Sequence, residues 1–370
     1  MTQQRVVFVA GARPNFMKVA PMLRAMAAPG SRFESALVHT GQHYDAAMSD
    51  VFFEELGIPS PDVHLNVGSG AHGAQTAKVL AAFEEWLMAQ PALPRGVVVV
   101  GDVNSTMACT LAAVKLGVAV AHVEAGLRSY DRTMPEEINR LVTDSVADLL
   151  LTSEPSGDAN LAKEGVDPKR VHFVGNLMID SVAYELPRAK ALNVPARFGH
   201  AAKGYALVTL HRPSNVDTAE RLGALVEFLE QTAKRVPVVF PTHPRTRERL
   251  TRFGLIDRVV KNTAVKITDP LGYRDNLGLM ADARYVLTDS GGIQEETSYL
   301  GVPCLTLRHN TERPVTVTQG TNTIVGDDLA KAFSLVNDIV EGRYKTGGPI
   351  AGWDGRAAER VARVLEESWA

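Results

Sequence analysis

The chain has 370 residues, more than one hydrophobic core usually serves, so its length favours two domains. Hydrophobic residues make up 45% and charged residues 22% of the chain, which is ordinary for a globular protein and excludes disordered and fibrous classes. A net charge of -3 provides no broad basic field for nucleic acid or for an anionic membrane, but it is compatible with a small phosphate-bearing ligand.

The cysteines and the N-terminal segment bear on the compartment. Cys109 and Cys304 are far apart, and neither has the spacing of a metal ligand or a redox pair, so we expect two buried thiols in a reducing compartment. The apolar run 6–10 is too short for a signal peptide, and no run approaches the length of a transmembrane helix. The sequence therefore predicts a cytoplasmic protein.

Short β-branched apolar runs alternate with amphipathic stretches along the chain, which predicts parallel strands connected by helices. The candidate strands are 6–10, 36–40, 97–101, 118–123, 149–152, 171–174, 205–210, 236–240, 265–268, 285–287, 304–307 and 323–325. This order predicts an α/β fold of two Rossmann-like, doubly wound domains. We place the first domain at 1–183 and the second at 184–354, followed by a last helix at 355–370 that is free to pack back on the first domain.

Ligands of doubly wound sheets bind beyond the carboxyl ends of the strands, so the residues that follow each strand are the functional candidates. After the first strand, Arg13 and Lys18 flank a helix start, an arrangement that suits a diphosphate. The same turn lacks the glycine pattern of a dinucleotide site and does not support NAD binding. The alternative is that both cations are ordinary surface residues of a helix.

Three carboxylates in the first half are candidates for acid/base chemistry. Asp102 and Glu124 lie at the ends of the third and fourth predicted strands, and Glu136 lies at the start of a helix. Strand alternation predicts His122 on the same face as Glu124. A helix cap is the structural alternative for Asp102 and Glu136, and an ion pair with Arg128 is the alternative for Glu124. Because all three carboxylates are expected at one edge of the sheet, acid/base chemistry is favoured.

Two histidines occupy the equivalent edge of the second predicted sheet. His211 and His243 end the first two strands of the second half. Both are candidates for substrate contact, and the alternative is that each is an ordinary hydrogen-bonded polar residue.

A glycine turn in the second half predicts an anion site. Ser290, Gly291 and Gly292 lie between a strand and a helix, where backbone N–H groups and the serine hydroxyl can bind phosphate. Glu296, farther along that helix, is placed to accept hydrogen bonds from ribose hydroxyls, and Arg313 adds a cation after the next strand. The alternative is a plain strand-to-helix turn with a buried glutamate.

In order along the chain, these motifs resemble the non-hydrolysing UDP-N-acetylglucosamine 2-epimerases, from residue 11 to about residue 326. The matching stretches are Arg13-Pro14 with Lys18, Gln42-His43, Gly101-Asp102, His122 to Arg128, Pro135-Glu136-Glu137, Gly175-Asn176, His211-Arg212, Thr288 to Glu296 and Thr311 to Pro314. Each motif is weak alone, whereas the ordered set is specific. The resemblance implies the glycosyltransferase-B fold, with the active site in a cleft between two Rossmann-like domains.

The resemblance also implies a reaction without a redox cofactor or a metal: anti elimination of UDP to a 2-acetamidoglucal, followed by re-addition of UDP with a proton on the opposite face of carbon 2. The residues that it assigns to catalysis are Asp102, Glu124, Glu136, Lys18 and His211. Those that it assigns to substrate binding are Arg13, Ser290, Gly291, Gly292 and Glu296, to which the positions of His243 and Arg313 after neighbouring strands add two further candidates. It further implies a homodimer that supplies precursors of cell-surface polysaccharides.

Other functions remain open at the level of sequence. The loop Asp131-Arg132-Thr133-Met134 departs from the best-known members and favours, as one alternative, the same chemistry on a modified UDP-sugar such as a 2,3-diacetamido uronic acid. A hydrolysing epimerase would release N-acetylmannosamine and UDP. A glycosyltransferase would need an acceptor, and a non-catalytic sensor of sugar nucleotides would not need the three carboxylates.

Overall fold

The computed structural model describes residues 4–41 and 55–370, apart from the side chains of Arg13 and Pro14. The predicted phosphate contact of Arg13 and the matching stretch Gln42-His43 therefore lie outside what the structure describes. The chain forms two compact units. Residues up to Tyr184 and the segment Ala351–Ala370 make up the first, and Glu185–Ile350 makes up the second.

The first unit contains a parallel sheet of seven strands. Its strands are β1 (Gln4–Ala10), β2 (Phe33–His39), β3 (Val63–His64), β4 (Gly96–Val100), β5 (Ala119–Val123), β6 (Leu149–Thr152) and β7 (Val171–Phe173), in the order β3-β2-β1-β4-β5-β6-β7. Its helices are α1 (Arg13–Met26), α2 (His72–Met88), α3 (Asn104–Lys115), α4 (Pro135–Val146) and α5 (Pro155–Lys163), followed by α6 (Leu177–Ala191), which continues into the second unit. A short 3₁₀ helix, Pro168–Arg170, precedes β7.

The second unit contains a parallel sheet of six strands. They are β8 (Ala206–Thr209), β9 (Val238–Pro241), β10 (Val265–Thr268), β11 (Tyr285–Thr288), β12 (Cys304–Thr306) and β13 (Asn322–Ile324), in the order β10-β9-β8-β11-β12-β13. Its helices are α7 (Val194–Arg197), α8 (Pro213–Val216), α9 (Ala219–Ala233), α10 (Pro244–Arg252), α11 (Ile256–Lys261), α12 (Tyr273–Asp282), α13 (Gly291–Leu300), α14 (Val315–Thr318) and α15 (Leu329–Val340).

Both sheets confirm the predicted fold class. In each parallel sheet, successive strands are added first on one side of the first strand and then on its other side, as in doubly wound folds. Each of the twelve candidate strands corresponds to an observed strand. The central strand β4 is buried along its whole length, which its valine run predicts. Strand β3 was not predicted, because two residues are too few to carry a periodic pattern.

The last helix, α16 (Ala357–Trp369), packs on the first unit against α1. The buried Asp180 carboxylate accepts hydrogen bonds from the N–H groups of Ala357 and Ala358 at the start of this helix, at 3.0 and 2.7 Å. At its other end, the Trp369 ring fills the space beside Gly96, where a Cβ atom would lie 2.5 Å from the ring. No helix among the described residues is both long and apolar enough to span a bilayer.

Candidate functional site

Gly101 and Asp102 form a tight turn at the carboxyl end of β4. Gly101 has a φ of 68°, and a Cβ atom there would lie 3.3 Å from Glu124 Oε2, so the turn requires glycine. Helix α3 begins with Val103 as its cap, and the Asp102 carboxylate forms an ion pair with Arg140 instead. The helix-cap alternative for Asp102 is therefore wrong, and its partly exposed carboxylate lies beside a buried cation.

Glu124 lies just past the end of β5 and forms an ion pair with Lys18, with both side chains buried. Its backbone is left-handed, with a φ of 69°. Strand alternation therefore ends before Glu124 and does not by itself place it on the face of His122, although both side chains reach Gly101. Arg128 pairs with Asp144 rather than with Glu124, so that alternative is also wrong.

The buried Asn15 positions the start of α1, on which Lys18 lies one turn later. Its Oδ1 accepts hydrogen bonds from the N–H groups of Gly11 and Ala12, both at 3.0 Å. Its Nδ2 donates to the carbonyl of Val100, also at 3.0 Å, and thereby joins this turn to the end of β4. The lysine and the turn at Gly101 are thus held by the same amide side chain.

The two adjacent glutamates at the start of α4 have different environments. Glu137 is buried and accepts hydrogen bonds from the N–H groups of Ser129 and Tyr130, both at 2.9 Å. Burial opposes its ionisation, but these bonds and the Arg140 guanidinium lower the pKa of Glu137 overall. Glu136 is half-buried and has no hydrogen bond or ion pair to any residue within 4–41 or 55–370. Glu137 thus supports the loop, whereas the Glu136 carboxylate is available for substrate.

Arg140 has a central place in this group that the sequence alone did not predict. It bridges the carboxylates of Asp102 and Glu137 and is itself buried. The i,i+3 spacing from Glu137 was the only sequence signal for this role, and it is a weak one. Through Arg140, helix α4 positions Asp102 as well as Glu136. The first unit therefore brings Lys18, Glu124 and Asp102 together around Gly101, with Glu136 on the helix that holds Asp102.

In the second unit, Asp289 holds His211. The Asp289 carboxylate is fully buried, accepts the N–H groups of His211 and Arg212, and lies 2.9 Å from His211 Nδ1. Burial opposes ionisation of this carboxyl, but hydrogen bonds from His211 and the two backbone groups lower the pKa of Asp289 overall. Asp289 therefore fixes the His211 ring by accepting a hydrogen bond from its Nδ1–H group, which leaves Nε2 for a ligand. Asp289 lies next to Ser290 in the sequence, but no local pattern predicts this role for it.

His243 lies beside His211, with ring centroids 5.6 Å apart. Its Nδ1 accepts a hydrogen bond from the N–H group of Arg245 at 3.2 Å and so caps helix α10. The structure thus brings the two predicted histidines together at one edge of the second sheet.

The start of α13 is shaped by glycine and surrounded by charged side chains. Ser290 precedes the helix, and its side chain makes no capping bond. A Cβ atom at Gly291 would lie 2.8 Å from Glu312 Oε1 and 3.3 Å from Arg313 Nη1. Arg313 is buried and paired with Glu312 and Glu295. The N–H groups of the first helical turn, among them that of Gly292, have no acceptor within the helix and suit an anion.

Glu296 is buried two turns into the same helix. Burial raises the pKa of Glu296 to about 8, a hydrogen bond with the Tyr273 hydroxyl opposes the shift, and the charge of Glu295 adds to it. Glu296 is therefore mostly protonated at neutral pH.

Comparisons with known proteins place this arrangement in a family. The family model described as UDP-N-acetylglucosamine 2-epimerase matches residues 26–366. The chain belongs to the UDP-N-acetylglucosamine 2-epimerase family. A member from Methanocaldococcus jannaschii, named UDP-N-acetylglucosamine 2-epimerase, is 41% identical over 366 residues, which cover 98% of each chain. A crystal structure of that enzyme in complex with UDP-GlcNAc and UDP matches with a TM-score of 0.89, 41% identity and coverage of 98% of this chain and 100% of the other.

A second relative extends the range of substrates in the family. The UDP-2,3-diacetamido-2,3-dideoxy-D-glucuronate 2-epimerase of Pseudomonas aeruginosa is 40% identical over 365 residues, which cover 98% of this chain and 99% of that relative. The family resemblance inferred from the ordered motifs is thus confirmed. The two relatives act, by name, on different sugars at nearly equal identity to this chain.

Proposed function

We propose that this enzyme interconverts UDP-N-acetylglucosamine and UDP-N-acetylmannosamine by inverting carbon 2, with neither a redox cofactor nor a metal. The observation that carries the proposal is the group at Gly101, where the buried Lys18–Glu124 ion pair adjoins Asp102 and its partner Arg140. Removing a weakly acidic C–H proton needs a positioned base, and returning it to the other face needs an acid elsewhere. Carboxylates held by separate cations supply both kinds of group.

The reaction runs by anti elimination and re-addition. A carboxylate among Asp102, Glu124 and Glu136 takes the proton from carbon 2, the double bond to carbon 1 forms, and the C1–O electron pair leaves with UDP. UDP oxygen then adds back to carbon 1 while a second carboxyl group protonates the opposite face of carbon 2. Lys18 keeps Glu124 charged in a buried position, because an unpaired carboxylate there would lose its hydration.

Departure of UDP places negative charge on the diphosphate, and we assign the second unit to stabilise it. His211, with Nδ1 held by Asp289, offers its remaining nitrogen to a phosphate oxygen. The N–H groups of Gly291 and Gly292 and the Ser290 hydroxyl add fixed donors, whose effect grows as charge develops. The neighbouring side chains of His243, Glu296 and Arg313 complete the proposed nucleotide site, with Glu296 on the ribose. Arg13 remains a proposed phosphate ligand from sequence.

Family membership supports a further part of this proposal: a cytoplasmic homodimer that supplies precursors of cell-surface polysaccharides. Sedimentation analysis of the purified enzyme tests the dimer.

The decisive experiment follows UDP-N-acetylglucosamine in deuterated water by proton and phosphorus NMR. The proposal expects deuterium at carbon 2 together with UDP-N-acetylmannosamine. Free UDP with free N-acetylmannosamine would instead identify a hydrolysing epimerase. Turnover that appears only when an acceptor is added would identify a glycosyltransferase, and binding without exchange on any UDP-sugar would identify a sensor.

The roles of the carboxylates are tested with Glu124→Gln and Glu136→Gln. Each is expected to lower kcat by about 100-fold or more, the usual range for loss of an acid/base group. Glu34→Gln is the matched control, because Glu34 is an exposed carboxylate in β2. Near-normal turnover by either active-site variant would remove that residue from the mechanism.

A modified UDP-sugar is the second candidate substrate. The P. aeruginosa relative, named for a 2,3-diacetamido uronic acid, is 40% identical to this chain, against 41% for the M. jannaschii relative. Comparing kcat/KM for UDP-N-acetylglucosamine and for the diacetamido uronic acid decides between them, since the true substrate should be preferred by orders of magnitude.

A further inference from the structure

A row of ionisable side chains runs through the first unit from the exposed Glu164 and ends, fully buried, at the turn of Gly101. Glu164 bonds Arg128 through two oxygens, at 2.8 and 2.7 Å. Arg128 Nη1 lies 2.7 Å from Asp144 Oδ2, and Asp144 Oδ1 lies 2.6 Å from His122 Nδ1. His122 Nε2 lies 2.8 Å from the Gly101 carbonyl oxygen. The proposed mechanism uses none of these four side chains.

The partners of His122 fix the orientation of its ring. A backbone carbonyl only accepts hydrogen bonds, so Nε2 donates to Gly101. Nδ1 lies 2.6 Å from the buried Asp144 carboxyl group on the other side of the ring. Burial opposes ionisation of Asp144, but His122 and Arg128 lower its pKa overall. The ring is therefore held between Asp144 and the Gly101 peptide.

The same row fixes the backbone on both sides of Glu124. Asp144 Oδ2 accepts a hydrogen bond from the N–H group of Gly126 at 3.0 Å, and Asp144 Oδ1 binds His122. Glu124, between these two points, has a left-handed backbone that a glutamate rarely adopts. Asp144 therefore clamps a strained turn that carries one proposed acid/base residue, and His122 connects that clamp to the peptide that precedes the other, Asp102.

We propose that His122 is a positioning residue of the epimerase reaction, one that sets the Gly101–Asp102 peptide in register with Glu124. It touches no substrate in this role and acts through the backbone. Asp144 is the anchor of its ring, and Arg128, which also binds Glu164, holds Asp144 in place. This inference rests on the proposed function. It explains why a fully buried histidine lies directly beneath the turn at the end of the central strand.

The two nitrogens of His122 can be separated by substitution. In His122→Gln, the amide nitrogen stands where Nε2 was and retains a donor for the Gly101 carbonyl. In His122→Asn, the amide nitrogen stands where Nδ1 was and retains the bond to Asp144, while the bond to Gly101 is lost. Both variants remove the imidazole ring, so a difference between them reports on the bond to Gly101.

The expected result is a fall in kcat without a matching rise in KM. Misplacing a reacting group by about 1 Å costs about 100-fold in rate, so His122→Asn should lose about that much in kcat. His122→Gln should retain at least ten times the kcat of His122→Asn, as rescue by the donor that reaches Gly101, with roughly unchanged KM in both. The matched controls are His172→Asn and His172→Gln, on strand β7 at the edge of the same sheet, which should keep wild-type kcat.

Several outcomes would overturn the inference. Wild-type kcat in both His122 variants would do so, as would equal losses in the two, since a purely structural role predicts no advantage for glutamine. Should both variants fail to fold in thermal denaturation, Asp144→Asn keeps the volume and removes the anchor charge, and a wild-type kcat there overturns the proposal. Wild-type protein is assayed first for deuterium exchange at carbon 2: absence of exchange refutes the proposed function, whereas exchange with unaffected variants refutes only the role of His122.

Discussion

Replacing Glu296 with glutamine should remove a pH dependence from the stability of the second unit. In the folded protein the pKa of Glu296 is raised to about 8, chiefly because its carboxyl is buried, whereas the unfolded chain has the ordinary value of 4.5. Between these values the folded state holds a proton that the unfolded state has released. Stability is therefore highest below about pH 4.5 and is lost as pH rises towards 8.

The magnitude follows from proton linkage. One group that is protonated only in the folded state lowers the free energy of unfolding by about 1.4 kcal/mol for each pH unit. Between pH 5.5 and 7.5 the wild type should therefore lose up to about 2.7 kcal/mol from this group alone. Glu296→Gln should lose none of it, because the amide resembles the protonated acid and does not titrate.

The assay is urea unfolding followed by circular dichroism at the two pH values. All three tryptophans, Trp86, Trp353 and Trp369, belong to the first unit, so their fluorescence reports that unit separately. The wild-type and variant proteins should differ in the pH dependence of the second transition and agree in the first. Equal pH dependence in both proteins and in both transitions would refute the assignment of a neutral, buried Glu296.

Three further predictions address other parts of the molecule. Lys18→Met should leave the buried Glu124 carboxylate without the Lys18 ammonium group and cost about 3–5 kcal/mol of stability in thermal or urea denaturation. The variant should also lose most of kcat. A variant as stable as wild type would contradict the buried ion pair. Gly291→Ala should weaken UDP binding by about 10-fold or more in calorimetry. The new Cβ atom would lie 2.8 Å from Glu312 Oε1 and displace the start of the helix from a phosphate. Unchanged affinity would argue against a phosphate site there. Asp180→Ala should cost about 1–2 kcal/mol in the tryptophan-detected transition, since it removes the cap of α16, while Asp180→Asn should cost less.

Several site residues could not be assigned from sequence, because their roles depend on partners that are distant along the chain. Arg140 binds Asp102, which is 38 residues earlier, and Asp289 binds His211, which is 78 residues earlier. Asp144 and His122 are likewise 22 residues apart. A single sequence reports periodicity within one element, whereas these pairs form only when the strands of a parallel sheet are laid side by side.

The sequence by itself determined the fold class, because buried parallel strands must be apolar along their length and the helices between them must be amphipathic. It also predicted which strand ends carry the candidate functional residues, through their composition of glycine, histidine and carboxylates. Only the tertiary structure decided which carboxylates are free. Glu136 and Glu137 are adjacent in sequence, and the path of the 129–130 loop alone makes Glu137 a structural acceptor and leaves Glu136 available for chemistry.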